Sequence, residues 1–335
     1  MHVRAVLSIA YKCRVGYKKK VHQLSWGIND IMTIDISAIR HLYPFESHYA
    51  SVRGFRYHYV DQGKGDPLVM IHGNPTWSFY YRHLIKELSA EYRTIAVDHL
   101  GCGLSDKPSA DDYDYRLKSR VDDLETLIDS LNLDRKITLI VHDWGGMIGM
   151  CYALRHPERI GRIVITNTSG FFPPGKGIPF RLWIMRYITP FAKIATLGFN
   201  LFSWAALYMA PRKPLAEDVK KGLTAPYNTW ANRMATYRFV QDIPLKPGDP
   251  SYDLVNHTDK NLGTLSAIPM TILWGQHDFV FTLEYFHEWK RRFPKAHARL
   301  FTEAGHYLLE DEPDKVCKDI QAFLKENPLK NNDTN

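Results

Sequence analysis

The sequence predicts an α/β fold: a mostly parallel central sheet flanked by helices, with an inserted α-helical cap. Two observations point there. Short apolar runs alternate with stretches of helical period, the signature of parallel βαβ units. That alternation then lapses over one long Pro- and aromatic-rich segment and resumes after it.

In chain order, "PLVMIHG" (67–73) reads as a buried strand and "TWSFYYRHLIKELSA" (76–90) as a helix. "RTIAVDHLG" (93–101) is a strand running into a loop. Within 115–132, Leu117, Val121, Leu124, Leu127, Ile128 and Leu131 recur at helical period. "KITLIVHD" (136–143) is the next strand, "WGGMIGMCYALRHP" (144–157) a helix stopped by Pro157, and "RIGRIVITNTS" (159–169) another strand. From Phe171 to about Val255 the sequence is helix-like and shows no clear strand. Its aromatic residues suit packing between helices, and its inner face suits an apolar pocket above the carboxyl ends of the strands. Strand–helix rhythm returns with "IPMTILWGQHD" (268–278), a helix over 282–292, "ARLFTEAGH" (298–306) and a last helix near 313–326. The expected organisation is a basic, disordered leader (1–41), core (42–170), helical cap (171–255), core (256–328) and tail (329–335).

Composition fits a soluble globular protein, with 45% hydrophobic and 24% charged residues in 335. The net charge of +7 sits mostly in residues 1–31, where Arg4, Lys12, Arg14, Lys18, Lys19 and Lys20 face Asp30 alone. The body is therefore near neutral and shows no basic patch pattern, which argues against a basic-arm membrane or nucleic-acid binder. "AVLSIA" near the start is too short for the core of a signal peptide, and the leader is too polar to span a bilayer. A disordered tail, a surface-binding arm and a true start at Met32 are the readings it leaves open. Cys13, Cys102, Cys151 and Cys317 have no metal-like spacing, which suits a reducing cytoplasmic setting. No phosphate loop is present, and "GCG" (101–103) lacks the third glycine and helix context of a dinucleotide site, so no cofactor and no metal are expected.

The chemistry centres on "LIVHDWGGMIG" (139–149), which sets a carboxylate at the sharp end of a buried strand. Burying it without a partner costs several kcal/mol. Val141-His142-Asp143-Trp144-Gly145 has the small-x-nucleophile-x-Gly form of a strained strand–helix turn that exposes its central side chain, with Asp where Ser is more usual. An Asp nucleophile attacks saturated or strained carbon and forms an ester with the enzyme. A simple helix N-cap would also place Asp there. Its company decides for chemistry: Asp278 follows one later strand and His306 the next, giving the order nucleophile, acid, base. Asn74, at the end of another strand, and Trp144 supply side-chain donors for a leaving group, and their backbone N–H groups an oxyanion hole.

"HGNPTWSFYYR", "DHLGCGLSDKP", "HDWGG", "WGQHDFVF" and "AGHYLLED" resemble the haloalkane dehalogenase superfamily of α/β-hydrolases over about residues 42–326. The resemblance implies an α/β-hydrolase fold with catalytic Asp143, His306 and Asp278 and leaving-group donors Asn74 and Trp144. Residue 167, where one subgroup carries Glu, is Asn here, which leaves the acid role to Asp278. "APYNTWANRMATYRFVQDIPL" (225–245) and "WGQHDFVF" look like the β-lactone decarboxylases of that subgroup, from bacterial long-chain olefin biosynthesis. That likeness implies conversion of a cis-3,4-dialkyl-oxetan-2-one to a cis-alkene and CO2, a small apolar substrate with long alkyl chains, and a complex with other olefin-pathway enzymes. Hydrolytic dehalogenation through an alkyl-enzyme ester uses the same residues and is the alternative; an inactive scaffold on the same fold is the reading from a different class.

Overall fold

The computed structural model describes residues 34–175 and 177–329, so the basic charges of the leader, Cys13 and the tail beyond 329 lie outside the described residues. One sheet runs through the molecule, built from β1 (His48–Val52), β2 (Phe55–Gln62), β3 (Pro67–Ile71), β4 (Arg93–Val97), β5 (Ile137–Asp143), β6 (Ile160–Thr168), β7 (Met270–Gly275) and β8 (His297–Phe301). Their spatial order is β1-β2-β4-β3-β5-β6-β7-β8. β1 pairs with β2, and β2 with β4, antiparallel; the pairings from β4 through β8 are parallel.

Helices α1 (Arg82–Leu88), α2 (Leu117–Ser130) and α3 (Trp144–Arg155) follow β3, β4 and β5. Between β6 and β7 come α4 (Phe180–Tyr187), α5 (Thr189–Lys193), α6 (Leu201–Met209), α7 (Glu217–Thr224), α8 (Met234–Gln241) and α9 (Tyr252–Asn261). Helix α10 (Leu283–Arg292) follows β7, and α11 (Leu308–Asp311) and α12 (Pro313–Glu326) follow β8. Among the described residues no helix is long and apolar enough to cross a membrane.

The continuous apolar runs have a two-sided cause. Successive strand residues point to opposite faces, and both faces are covered. In β3, Leu68 and Met70 join a cluster with Leu84, Leu88, Ile320 and Leu324, while Val69 and Ile71 join another with Leu124, Ile128 and Ile148. Each fully buried aliphatic side chain contributes roughly 1.5–3 kcal/mol, so β3 and β5, buried at every residue, anchor the core.

Four features depart from the sequence expectation. The β1–β2 hairpin was not anticipated, because β1 is half exposed and carries no apolar run. Its turn at Arg53-Gly54 takes φ of 52° and 83°, the left-handed pair that suits a tight hairpin. The helix expected over 76–90 opens as a 3-10 turn, Ser78–Tyr81, whose Ser78 N–H donates to the Asp98 carboxylate at 2.7 Å. Within the leader's last residues, Ser37–Ile39 form a 3-10 turn and Ile39 is buried beside Tyr43. The cap boundary expected at residue 255 falls inside α9, whose Val255 is buried with the core cluster of α3. Cys102, Cys151 and Cys317 are buried free thiols, and burial pushes Cys151 up to about 11.

The sheet order reverses between β3 and β5. Loops leaving their carboxyl ends diverge there, which opens the crevice where ligands of such sheets bind.

Candidate active site

Asp143 ends β5 and precedes α3 with φ of 53° and ψ of −128°, a region that costs a non-glycine residue about 1–3 kcal/mol. Its neighbours hold it there. The Thr168 hydroxyl donates to the Asp143 carbonyl. The glycines make the approach possible: a Cβ on Gly145 would run into the Ile71 carbonyl, and one on Gly146 into the Thr168 hydroxyl. A Cβ on Gly73 would meet the Asp143 carboxylate itself.

His306, after β8, turns Nε2 toward Asp143 Oδ2 at 3.5 Å, and its Nδ1 lies 2.8 Å from Asp278 Oδ2. Asp278 follows β7 and is held by three more donors. The backbone N–H groups of Val280 and Phe281 reach Oδ1 at 2.7 and 3.0 Å, and the Asn167 amide reaches Oδ2 at 2.9 Å. All three residues are buried. Burial disfavours the charged form of His306, but the Asp278 and Asp143 carboxylates override it and raise the imidazole to about 10. Burial alone would raise Asp143; its hydrogen bond with His306, the His306 charge and the Trp144 backbone N–H bring it below the ordinary carboxylate value. The geometry thus favours the protonated form of His306 and the ionised form of Asp143.

The backbone N–H groups read from the sequence as an oxyanion hole face the Asp143 carboxylate. The Asn74 N–H donates to Asp143 Oδ1 at 2.7 Å, because the tight Gly73 turn brings it directly over that oxygen. The Asn74 side-chain amide is oriented by the Thr236 carbonyl at 3.1 Å. Asn74, Trp144, Asp143 and His306 all line one cavity of about 420 Å³. Its other polar lining is confined to Ser169, Arg181, Tyr285 and Tyr307; the rest is aliphatic, aromatic or proline. Inner residues of α4 and α6, such as Met185 and Phe202, close it from above the sheet. All five residues singled out in the sequence are thus brought together.

Three supporting residues were not singled out. Asn167 accepts the Gly275 N–H at 2.8 Å while its amide holds Asp278, so it fixes the acid to two strands at once. Burial lowers His142 to about 3, and its Nε2–H donates to the His306 carbonyl at 2.9 Å, tying the base's loop to the nucleophile's strand. Thr168 clamps the turn. The available signal was polar residues inside otherwise apolar strands. Farther out, the Arg82 guanidinium grips Glu310 in a two-pronged pair at 2.6 and 2.7 Å, both side chains buried, and braces the segment after His306 against the start of α1.

A buried parallel sheet, a strained acidic turn after β5 and a histidine and acid after the last strands define an α/β-hydrolase. The family model described as alpha/beta hydrolase fold matches residues 66–313, and the chain belongs to that family. It is 49% identical over 287 residues to the cis-3-alkyl-4-alkyloxetan-2-one decarboxylase of Shewanella oneidensis, covering 85% of this chain and 90% of that one. The corresponding decarboxylase of Xanthomonas campestris is 41% identical over 296 residues, covering 86% and 98%. Among solved structures, a haloalkane dehalogenase of Bradyrhizobium elkani superposes with a TM-score of 0.75 at 23% identity, covering 84% and 98%, a likeness of fold.

Proposed function

We propose that this protein decarboxylates cis-3,4-dialkyl β-lactones to cis-alkenes and CO2, with Asp143 as nucleophile, and that the helical segment of residues 171–255 is the cap over the substrate. The observation that carries it is Asp143 at the floor of an almost wholly apolar cavity, its carboxylate held by the Asn74 N–H and faced by Nε2 of His306, whose two carboxylate neighbours favour its protonated form. The high identity to decarboxylases over most of the chain supports the same reading.

One carboxylate oxygen of Asp143 displaces the ring oxygen at its sp³ carbon with inversion. The C–O bonding pair leaves as a carboxylate, bound by the Asn74 amide and the Trp144 indole N–H. The bond from that carboxylate to the adjacent carbon then breaks. CO2 departs, the pair becomes the second bond of the alkene, and the ester C–O bond returns its electrons to Asp143. Inversion followed by anti elimination gives the cis alkene. No water and no net proton are consumed. His306, held by Asp278, keeps Asp143 oriented and compensates its charge.

A synthetic cis-dialkyl β-lactone incubated with the protein gives alkene and CO2 in equal amounts, and Asp143→Asn gives neither. A His306→Ala variant accumulates a covalent adduct on Asp143 that withstands neutral hydroxylamine. A mixed anhydride, discharged by hydroxylamine, would refute attack at the sp³ carbon. Sustained bromide release from 1-bromobutane without alkene from the lactone would select the dehalogenase reading. The same function carries an expectation of contact with the enzymes that form the lactone, tested by co-purification from cells expressing them.

A further inference from the structure

Of the helices that roof the cavity, α6 has no polar face, and α4 carries only Arg181 and Arg186 among apolar residues. On α4, Phe180, Trp183 and Tyr187 fall at i, i+3 and i+7 and are 71, 43 and 40% exposed. They form a run of rings, with centroids 6.1 and 5.3 Å apart, while Leu182, Ile184 and Met185 of the same helix line the cavity. Helix α6 repeats the arrangement. Trp204 and Tyr208 are each 56% exposed, and Phe202, Ala205 and Met209 line the cavity. Just before α6, Phe199 is 78% exposed. A helix that is apolar all round belongs in a protein interior or against lipid, and contiguous exposed apolar surface marks an interaction site.

The charge pattern says what covers it. From residue 171 to 216 the sequence has no Asp or Glu, yet it carries Lys176, Arg181, Arg186, Lys193, Arg212 and Lys213. Of these, Arg181, Lys193, Arg212 and Lys213 are exposed, Arg181 at the cavity rim and Lys213 paired with Glu312. Aromatic rings with Trp and Tyr prominent and flanked by cations match the interfacial zone of an anionic bilayer; the exposed acid beside them, Glu217, is paired with Lys220, whose ammonium lies over the Tyr208 ring. A second copy of the chain fits worse, since a two-fold contact through this face would set these cations against their own counterparts. No helix among the described residues crosses a membrane, so the contact is peripheral.

We propose that the outer faces of α4 and α6, with Phe199, dock on an anionic phospholipid bilayer, the aromatic rings entering the headgroup boundary and Lys193 and Arg212 facing lipid phosphates. The cavity roof then lies against the membrane, and an apolar ligand passes between the two without crossing water. This does not depend on which reaction the site performs.

The test is flotation of the full chain with phosphatidylcholine vesicles, with and without phosphatidylglycerol, at low and high salt. The comparison is a variant carrying Phe180→Ser, Trp183→Ser, Phe199→Ser and Trp204→Ser, none of which lines the cavity. The wild type floats with the anionic vesicles and less with phosphatidylcholine alone. The variant keeps its thermal midpoint and loses partitioning by at least about tenfold. Equal flotation of variant and wild type would overturn the proposal and move binding to the basic leader. Absence of wild-type flotation would overturn it as well. So would sedimentation showing a wild-type dimer that the four substitutions convert to monomer.

Discussion

Replacing Asp278 by Asn should move the alkaline limit of activity by about three pH units. The imidazole of His306 sits 2.8 Å from Asp278 Oδ2, and both groups are buried. Burial lowers the imidazole; Asp278 first and Asp143 second raise it to about 10. Two opposite charges centred about 4 Å apart interact by about 4 kcal/mol at an effective dielectric of about 20, which is about 3 pKa units. Asp278→Asn therefore brings His306 to about 7. The variant amide also cannot be satisfied as the carboxylate is. Its oxygen keeps the Val280 and Phe281 N–H groups, so its NH2 faces the Asn167 NH2, whose orientation the Gly275 N–H fixes. The NH2 then donates to His306 Nδ1 and holds the neutral ring in the other tautomer. Imidazole resonances followed by NMR give the titration directly, and alkene formation from a β-lactone across neutral and alkaline pH gives its consequence. Wild-type activity should stay level through neutral pH and fall near 10; the variant's should fall near 7. A wild-type rate that climbs as His306 loses its proton, or a variant limb that does not move, would refute the imidazolium as the working form.

The same titration bears on stability. His306 is raised above its ordinary 6.5, so its pairing contributes stability that is complete below pH 6.5 and lost as pH rises through about 10. Urea midpoints of the wild type should fall across that window, and those of Asp278→Asn should fall less. Gly146→Ala drives a methyl into the Thr168 hydroxyl and should destabilise by about 1–3 kcal/mol in urea while lowering activity; a change within about 0.5 kcal/mol would mean the turn has room. Glu310→Ala leaves the buried Arg82 guanidinium unpaired and should cost about 3–5 kcal/mol by the same measurement.

What could be read from the sequence follows burial. Strands β3 through β7 carry runs of apolar residues because both their faces are covered, and such runs are visible without knowing their partners. Strand β1 is an edge with alternate residues in solvent, so its place is set by pairing with β2. The site divides the same way. Asp143, Asp278, His306, Asn74 and Trp144 stand at strand ends in recognisable surroundings. Asn167 and His142 act through groups 108 and 164 residues away, and only the parallel register of β5 through β8 brings those groups within reach.

The destination of the Asn74 N–H has a consequence for the reaction proposed above. Asp143 must attack carbon in one step and leave it in the next. A lowered proton affinity weakens the first role and strengthens the second, because a less basic carboxylate is the better leaving group. His306 and the Trp144 N–H lower it in the resting state, and the Asn74 N–H, 2.7 Å from Oδ1, stays positioned with them on the same carboxyl group once it is an ester. They thus favour return of electrons to Asp143 when the carbon–carbon bond breaks. The cost to nucleophilicity falls on the first step, where release of four-membered ring strain offsets it. An acyclic substrate brings no such strain. A long-chain primary bromide should therefore alkylate Asp143 slowly, with the imidazolium beside it poorly suited to activating water for release. Slow bromide release that stops near one equivalent, with Asp143 left alkylated, is the expected trace; alkylation by the bromide as fast as attack on the β-lactone would show that strain is not what drives attack.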